Sequence, residues 1–171
     1  TDWWDMLYKD SFTGQEQNLS IQGGGKKADF LLSGRFYSQN GVFNFDPDKY
    51  KMFNIRAKGG LQVTDWLKVT NNFEFSQMEY HNPMSVGEGN VWYAIESEGQ
   101  APNVMFNPDG TLTQAGATIL GSFYYGNNYE DFTTRVLRNT SSFTTSFFKN
   151  RLHINGDITF RYTDENIDGK Q

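Results

Sequence analysis

Residues 50–69, YKMFNIRAKGGLQVTDWLKV, decide the fold. From Phe53 onward every second residue is apolar or glycine: Phe53, Ile55, Ala57, Gly59, Leu61, Val63. Between them stand Asn54, Arg56, Lys58, Gly60, Gln62 and Thr64. A period of two is that of a strand with one apolar face and one wet face. Thr64-Asp65 marks a short turn, after which Leu67, Val69, Phe73 and Phe75 oppose Lys68, Thr70, Asn72 and Glu74.

The same pattern extends both ways. Leu19 and Ile21 alternate ahead of Gly23-Gly24-Gly25, a tight-turn signal. Phe30, Leu32, Gly34 and Phe36 then oppose Asp29, Ser33 and Arg35. A strand follows over 133–148, then another over 151–163, where Leu152, Ile154, Ile158, Phe160 and Tyr162 oppose His153, Asp157 and Arg161. The expected organisation is a loop with one short helical turn over 1–16, four strands over 17–80 and a long loop over 81–131. Two strands over 132–163 and the start of another loop over 164–171 complete it. The connections alternate short and long, so an up-and-down sheet would collect all tight turns at one end and all long loops at the other.

Lys and Arg total 15 against 20 Asp and Glu, a net charge of −5, which argues against a nucleic-acid grip. The absence of cysteine removes disulfides, thiolate metal sites and a cysteine nucleophile. Aromatic residues at 16% argue against disorder. No run approaches the roughly 18 apolar residues of a membrane helix. The mean hydropathy of −0.65 fits two architectures. One is a soluble antiparallel sheet with a single face on a core; the other is a transmembrane β-barrel alternating lipid-facing and lumen-facing residues. Strands of about 12 to 16 residues, against a usual mode near 5 to 6, favour the barrel. Trp66 beside a turn, and Tyr50, Tyr80 and Tyr162 near strand ends, suit an interfacial aromatic belt. Six strands leave two open edges, which hydrocarbon does not tolerate, so a barrel would need further strands.

The stretch NLSIQGGGKKADFLLSGRFYSQNGV resembles the first barrel strands of the SusC/RagA-like family of TonB-dependent outer-membrane transporters of the Bacteroidetes. The matching features are Asn18-Leu19-Ser20, Gly23-Gly24, Lys27, Phe30 to Ser33, and Gln39-Asn40-Gly41-Val42. Arg56-Ala57 and Asp65-Trp66-Leu67-Lys68 are similar to the family's next hairpin, and Thr1 to Asp5 to a segment shortly before the first strand. The resemblance covers about the first 75 residues well, the rest by architecture only. It implies an all-β fold, about six strands here of a roughly 22-strand barrel, with short periplasmic turns and long extracellular loops. The plug domain and its TonB contact lie outside these residues. The implied activity is TonB-dependent import of a bulky nutrient, an oligosaccharide or oligopeptide, across the bacterial outer membrane. The implied partners are TonB, a SusD-like surface lipoprotein and the lipid bilayer.

No enzyme is expected. His81 and His153 are the only histidines, and no nucleophile–base set, cofactor motif or metal site stands out. FDPDKY (45–50) and YTDENIDGK (162–170) lack calcium-loop spacing and read as polar loops, and GGGKK (23–27) reads as a hairpin turn. Asn54, Arg56, Lys58, Gln62, His153, Asp157 and Arg161 are expected to line the lumen. Trp92, Tyr93, Phe106, Phe123, Tyr124, Tyr125 and Tyr129 of the long loop are candidate substrate contacts, since aromatic faces stack on sugar rings or peptide side chains. The alternative for these aromatics is that they fold the loop onto itself. The alternative for the whole chain is a soluble β-rich carbohydrate-binding module.

Overall fold

The computed structural model describes residues 2–83, 88–100, 102–125, 128–148 and 151–170, with the side chains of 88–92 and 122–123 outside the description. Six strands form one antiparallel sheet in sequence order: β1 (Gly14–Gly24), β2 (Ala28–Asn40), β3 (Lys49–Thr64), β4 (Leu67–Asn82), β5 (Tyr129–Phe147) and β6 (Leu152–Lys170). Each pairs only with its neighbours, so β1 and β6 are the two edges. Three helices complete the described residues: α1 (Trp3–Leu7), α2 (Glu88–Glu98) and α3 (Gln114–Tyr124). No described helix is long and apolar enough to cross a membrane, which says nothing about strands.

Because directly opposed residues of an antiparallel pair share a face, the register sorts every side chain. One row reads Gly34–Ile55–Phe75–Leu137–Tyr162, and the row beside it reads Ser33–Arg56–Glu74–Arg138–Arg161. The first belongs to what we call the Phe53 face, the second to the Arg56 face. On the Phe53 face Leu19, Leu32, Leu61, Ile158 and Phe160 stand exposed, reaching 79% at Ile158. Among the described residues no layer covers that face. At two of its glycines a ring from the opposed strand fills the gap: a Cβ would lie 2.8 Å from the Phe30 ring on Gly23 and 2.5 Å from the Phe143 ring on Gly156.

The three hairpin tips do not lie in one register row. The innermost pair of the first, Gly24–Asp29, aligns through Gly60 and Thr70 with Ser142, whereas the last pair of the third is Phe147–Leu152. The stagger is therefore 147 − 142 = 5 residues along β5. A bulge at Gln62/Thr64, beside the Asp65-Trp66 turn, interrupts the middle hairpin.

The buried core sits at the other end, among the long connections. Trp3 and Leu7 of α1, Phe43 between β2 and β3, Ile95 of α2, Met105, and Ala115, Ile119 and Leu120 of α3 form one cluster. Asp2 caps α1 by accepting from the Trp4 and Asp5 amides at 3.0 and 3.3 Å. Thr113 caps α3, its hydroxyl accepting from the Gly116 amide at 3.0 Å and donating to the Val104 carbonyl at 2.6 Å. Gly116 lets α3 pass against the Met105 carbonyl, where a Cβ would collide.

One boundary and the content of one connection differ from the sequence expectation. Residues 164–170 continue β6 instead of starting a loop, because β5 begins at Tyr129 and supplies partners up to the Tyr129–Lys170 pair. YTDENIDGK is thus strand, with Ile167 opposite Phe132. The long connection holds two full helices, of which α3 carries no sharp sequence signal beyond Ala115, Ile119 and Leu120 on one side.

Candidate functional site

The seven residues expected to line a lumen all fall on the Arg56 face. Asn54, Arg56, Lys58 and Gln62 do so along β3, and His153, Asp157 and Arg161 along β6. At the centre of this face Glu74 receives two guanidinium groups, Arg56 at 3.3 Å and Arg138 at 3.8 Å. Asn72 steadies both sides of the first pair: its carbonyl oxygen accepts from Arg56 Nε at 2.8 Å and its amide donates to Glu74 at 2.8 Å. Arg35 pairs with Glu16 at 3.1 Å. Lower down, Lys68 pairs with Asp29 at 3.2 Å, and Ser146 Oγ lies 2.9 Å from His153 Nδ1. A concavity of about 470 Å³ opens over the central rows, its wall including Arg35, Arg56, Glu74, Arg138 and Arg161.

Towards the long connections both faces change character. The Phe53 face gains Lys51, Gln77, Glu79, His81, Arg135 and Asp131. His81 sits between two carboxylates there, Nδ1 at 2.5 Å from Asp131 and Nε2 at 3.5 Å from Asp46. The Arg56 face gains Tyr37, Tyr50, Met52, Met78, Tyr80 and Phe132. Tyr37 and Tyr50 meet edge-on at 5.8 Å, and Tyr80 stacks on Phe132 at 6.1 Å. The Tyr37 hydroxyl bonds the Gln39 side chain. This corrects the expected aromatic belt: Tyr50 and Tyr80 are on the face opposite the apolar one, and of the three tyrosines only Tyr162 shares the apolar face. Trp66 stacks on Phe147 at 5.3 Å beside the hairpin turns.

The loop aromatics divide. Phe106 and Tyr124 fold the loop onto itself: their rings meet edge-on at 5.7 Å, and Tyr124 also meets Phe45 at 5.7 Å. Phe106 packs against the buried cluster. Tyr93 and Tyr125 remain well exposed. Tyr129 opens β5 and stacks on His81 at 6.1 Å. The side chains of Trp92 and Phe123 lie outside the described residues. The seven aromatics therefore do not form one platform among the described side chains.

In the loop ahead of α3, Asp109 accepts from the Thr111 hydroxyl at 2.6 Å and amide at 3.0 Å, and the hydroxyl bond foremost holds its carboxyl below the ordinary aspartate range. The following Gly110 adopts a positive φ of 84° that closes the turn. Among the described residues no group of three His, Cys, Asp or Glu is arranged to hold a metal ion.

Sequence reasoning missed the central position of Glu74 and Arg138. The signal was present: Arg35, Arg56, Glu74, Arg138 and Arg161 are the mid-strand charges of β2 to β6. Compared with known proteins, the chain matches no protein-family model and no curated protein.

Proposed function

We propose that this chain is a segment of an outer-membrane β-barrel of the TonB-dependent, SusC/RagA-like kind, and that the barrel imports a bulky nutrient, an oligosaccharide or oligopeptide, received from a SusD-like surface lipoprotein. The carrying observation is the apolar band on the Phe53 face, left uncovered among the described residues. On β3 it runs from Phe53 to Val63, ten residue steps. At about 3.4 Å per step that is about 34 Å along the strand.

The hairpin stagger supplies the tilt. Five residues, about 17 Å, accumulate across four strand spacings, about 19 Å. If the tight turns share one membrane surface, the strands lean about 40° from its normal, within the range of outer-membrane barrels. The leaning band is then about 25 Å tall, the height such barrels present to lipid. A soluble module built on this sheet would have to cover the whole band, and the buried cluster lies elsewhere. The unpaired edges of β1 and β6 would be closed by further strands of the same ring. In this arrangement the Arg56 face lines the lumen, and the exposed Tyr93 and Tyr125 stand on the extracellular side, where cargo arrives.

The test is to extract the native polypeptide containing these residues. Recovery from the outer-membrane fraction only with detergent, at an intact mass well above the 19.6 kDa of these residues, is the expected result. A detergent-independent soluble species of that small mass would overturn it and favour the carbohydrate-binding module.

A further inference from the structure

The structure assigns an oxyanion site to the centre of the Arg56 face: we propose that Arg138, Arg161 and Arg56 bind a small carboxylated, hydroxyl-rich ligand, an acidic saccharide in chemical class. Four guanidinium groups, Arg35, Arg56, Arg138 and Arg161, gather over two neighbouring rows of one face, with Glu74 among them and Glu16 in the adjoining row as their paired carboxylates. Glu165 closes the Glu16 row at its far end, so these rows carry 4 − 3 = +1 in a chain whose net charge is −5. Glu16 is engaged by Arg35, and Glu74 is shared between Arg56 and Arg138, more loosely with the latter.

Arg161 has no carboxylate within ion-pair distance among the described residues. The other acidic residues of its own strand and face, Asp157 and Glu165, stand four positions away on either side, about 13 Å along the strand. Arg138 and Arg161 are also direct cross-strand partners. Like charges so placed repel, and an oxyanion between them turns the repulsion into two charge-assisted hydrogen bonds.

The neutral lining fixes the ligand class. Ser33, Asn54 and Ser76 border the same cavity and offer hydroxyl and amide groups of the sort that read sugar hydroxyls. A volume of about 470 Å³ suits one or two sugar rings. The oxyanion site stands on the sheet itself; only the route by which the ligand arrives rests on the transporter reading.

The experiment is calorimetric titration of the intact native protein with a dimer of galacturonic acid and with its neutral methyl ester. The acid should bind, with affinity that falls as salt rises, and the ester at least about tenfold more weakly. The double variant Arg138→Gln/Arg161→Gln should lose about tenfold or more for the acid, while Arg138→Lys/Arg161→Lys, which keeps the charge but not the planar fork, should lose less than the glutamine variant. Protection of Arg161 from phenylglyoxal by the acid and not by the ester, read by mass spectrometry on the unaltered protein, tests the same point without a variant. Equal binding of acid and ester, no binding of either, or an unaffected glutamine variant would overturn the proposal. A soluble protein that still discriminates acid from ester would retire the transporter and leave the oxyanion site standing.

Discussion

The same strands behave oppositely on the two sides of the Phe36–Phe53 row. On the hairpin side, the Phe53 face is mainly apolar, interrupted by Asn71, Asn139 and Ser141, and the Arg56 face is charged. On the loop side, the Phe53 face carries Lys51, Glu79, His81 and Asp131, while the Arg56 face carries Tyr50, Met52, Met78, Tyr80 and Phe132. The backbone does not change at this row; the surroundings implied by the side chains do. A sheet lying on one continuous core has no use for such an exchange, because its buried face keeps one identity from end to end. A sheet that leaves hydrocarbon partway along its length does: its outer face then meets water, and its inner face can pack on loops.

The largest expected effect comes from charging the apolar side of that boundary. Ile158→Arg places a cation near the middle of the band on β6 and should destabilise the protein in lipid vesicles by about 2–4 kcal/mol, read from urea unfolding. Asn166→Arg, on the same strand and face but beyond the boundary, should change it by under about 0.5 kcal/mol. Equal effects at the two positions would break the comparison. Next, Phe132→Ala removes the stacking partner of Tyr80 and should cost about 1–2 kcal/mol, with hydrogen exchange rising at the loop end of β4 and β5 and not near the hairpins. Smaller still is Arg35→Gln: its pair with Glu16 is half-exposed, so a loss within about 1 kcal/mol is expected, diminishing in high salt.

The smallest effect is local to the loop region. Asp109 has its carboxyl depressed by Thr111, so the folded form binds its proton less readily than the unfolded chain. Its contribution is complete above the ordinary aspartate range and is lost as pH falls through the lower, folded value. The protection of the Thr111 amide, its exchange taken relative to the intrinsic rate at each pH, should therefore fall on acidification below that range, and Asp109→Asn should abolish that pH dependence while the sheet is unaffected.

Most of the sheet was legible because alternation with period two is written directly in residues such as Phe53 to Val63 and Leu152 to Tyr162. The exchange of faces was legible too, as a change of phase: Tyr50 and Met52 precede Phe53 and Ile55, and Phe75 precedes Met78 and Tyr80. Treating each strand as one continuous pattern hid that shift and put Tyr50 and Tyr80 on the wrong face. The end of β6 was hidden for a related reason: TDENIDGK is rich in turn-forming and charged residues, and only the partners supplied by β5 keep it extended. The small helical core could not be read from local pattern, since it joins Trp3, Phe43, Ile95 and Leu120 across long sequence separations. The arginine cluster was half visible: Arg56 and Arg161 were placed on one face, but that Arg138 lies beside Arg161 is a matter of register.

If the sheet is part of a closed ring, as proposed, the hairpin stagger also fixes how much circumference this chain supplies. A strand leaning about 40° occupies about 6.3 Å of girth instead of about 4.8 Å, so six strands make an arc of about 38 Å. Closed at eight strands, the ring would measure about 16 Å between opposite backbones, a bore that side chains alone would fill. Closed at about 22, it would measure about 44 Å, wide enough for the arginine rows to face an interior that a folded domain or a passing polymer could occupy. On the transporter proposal, the size of the cargo would then be set chiefly by how many more strands complete the circle.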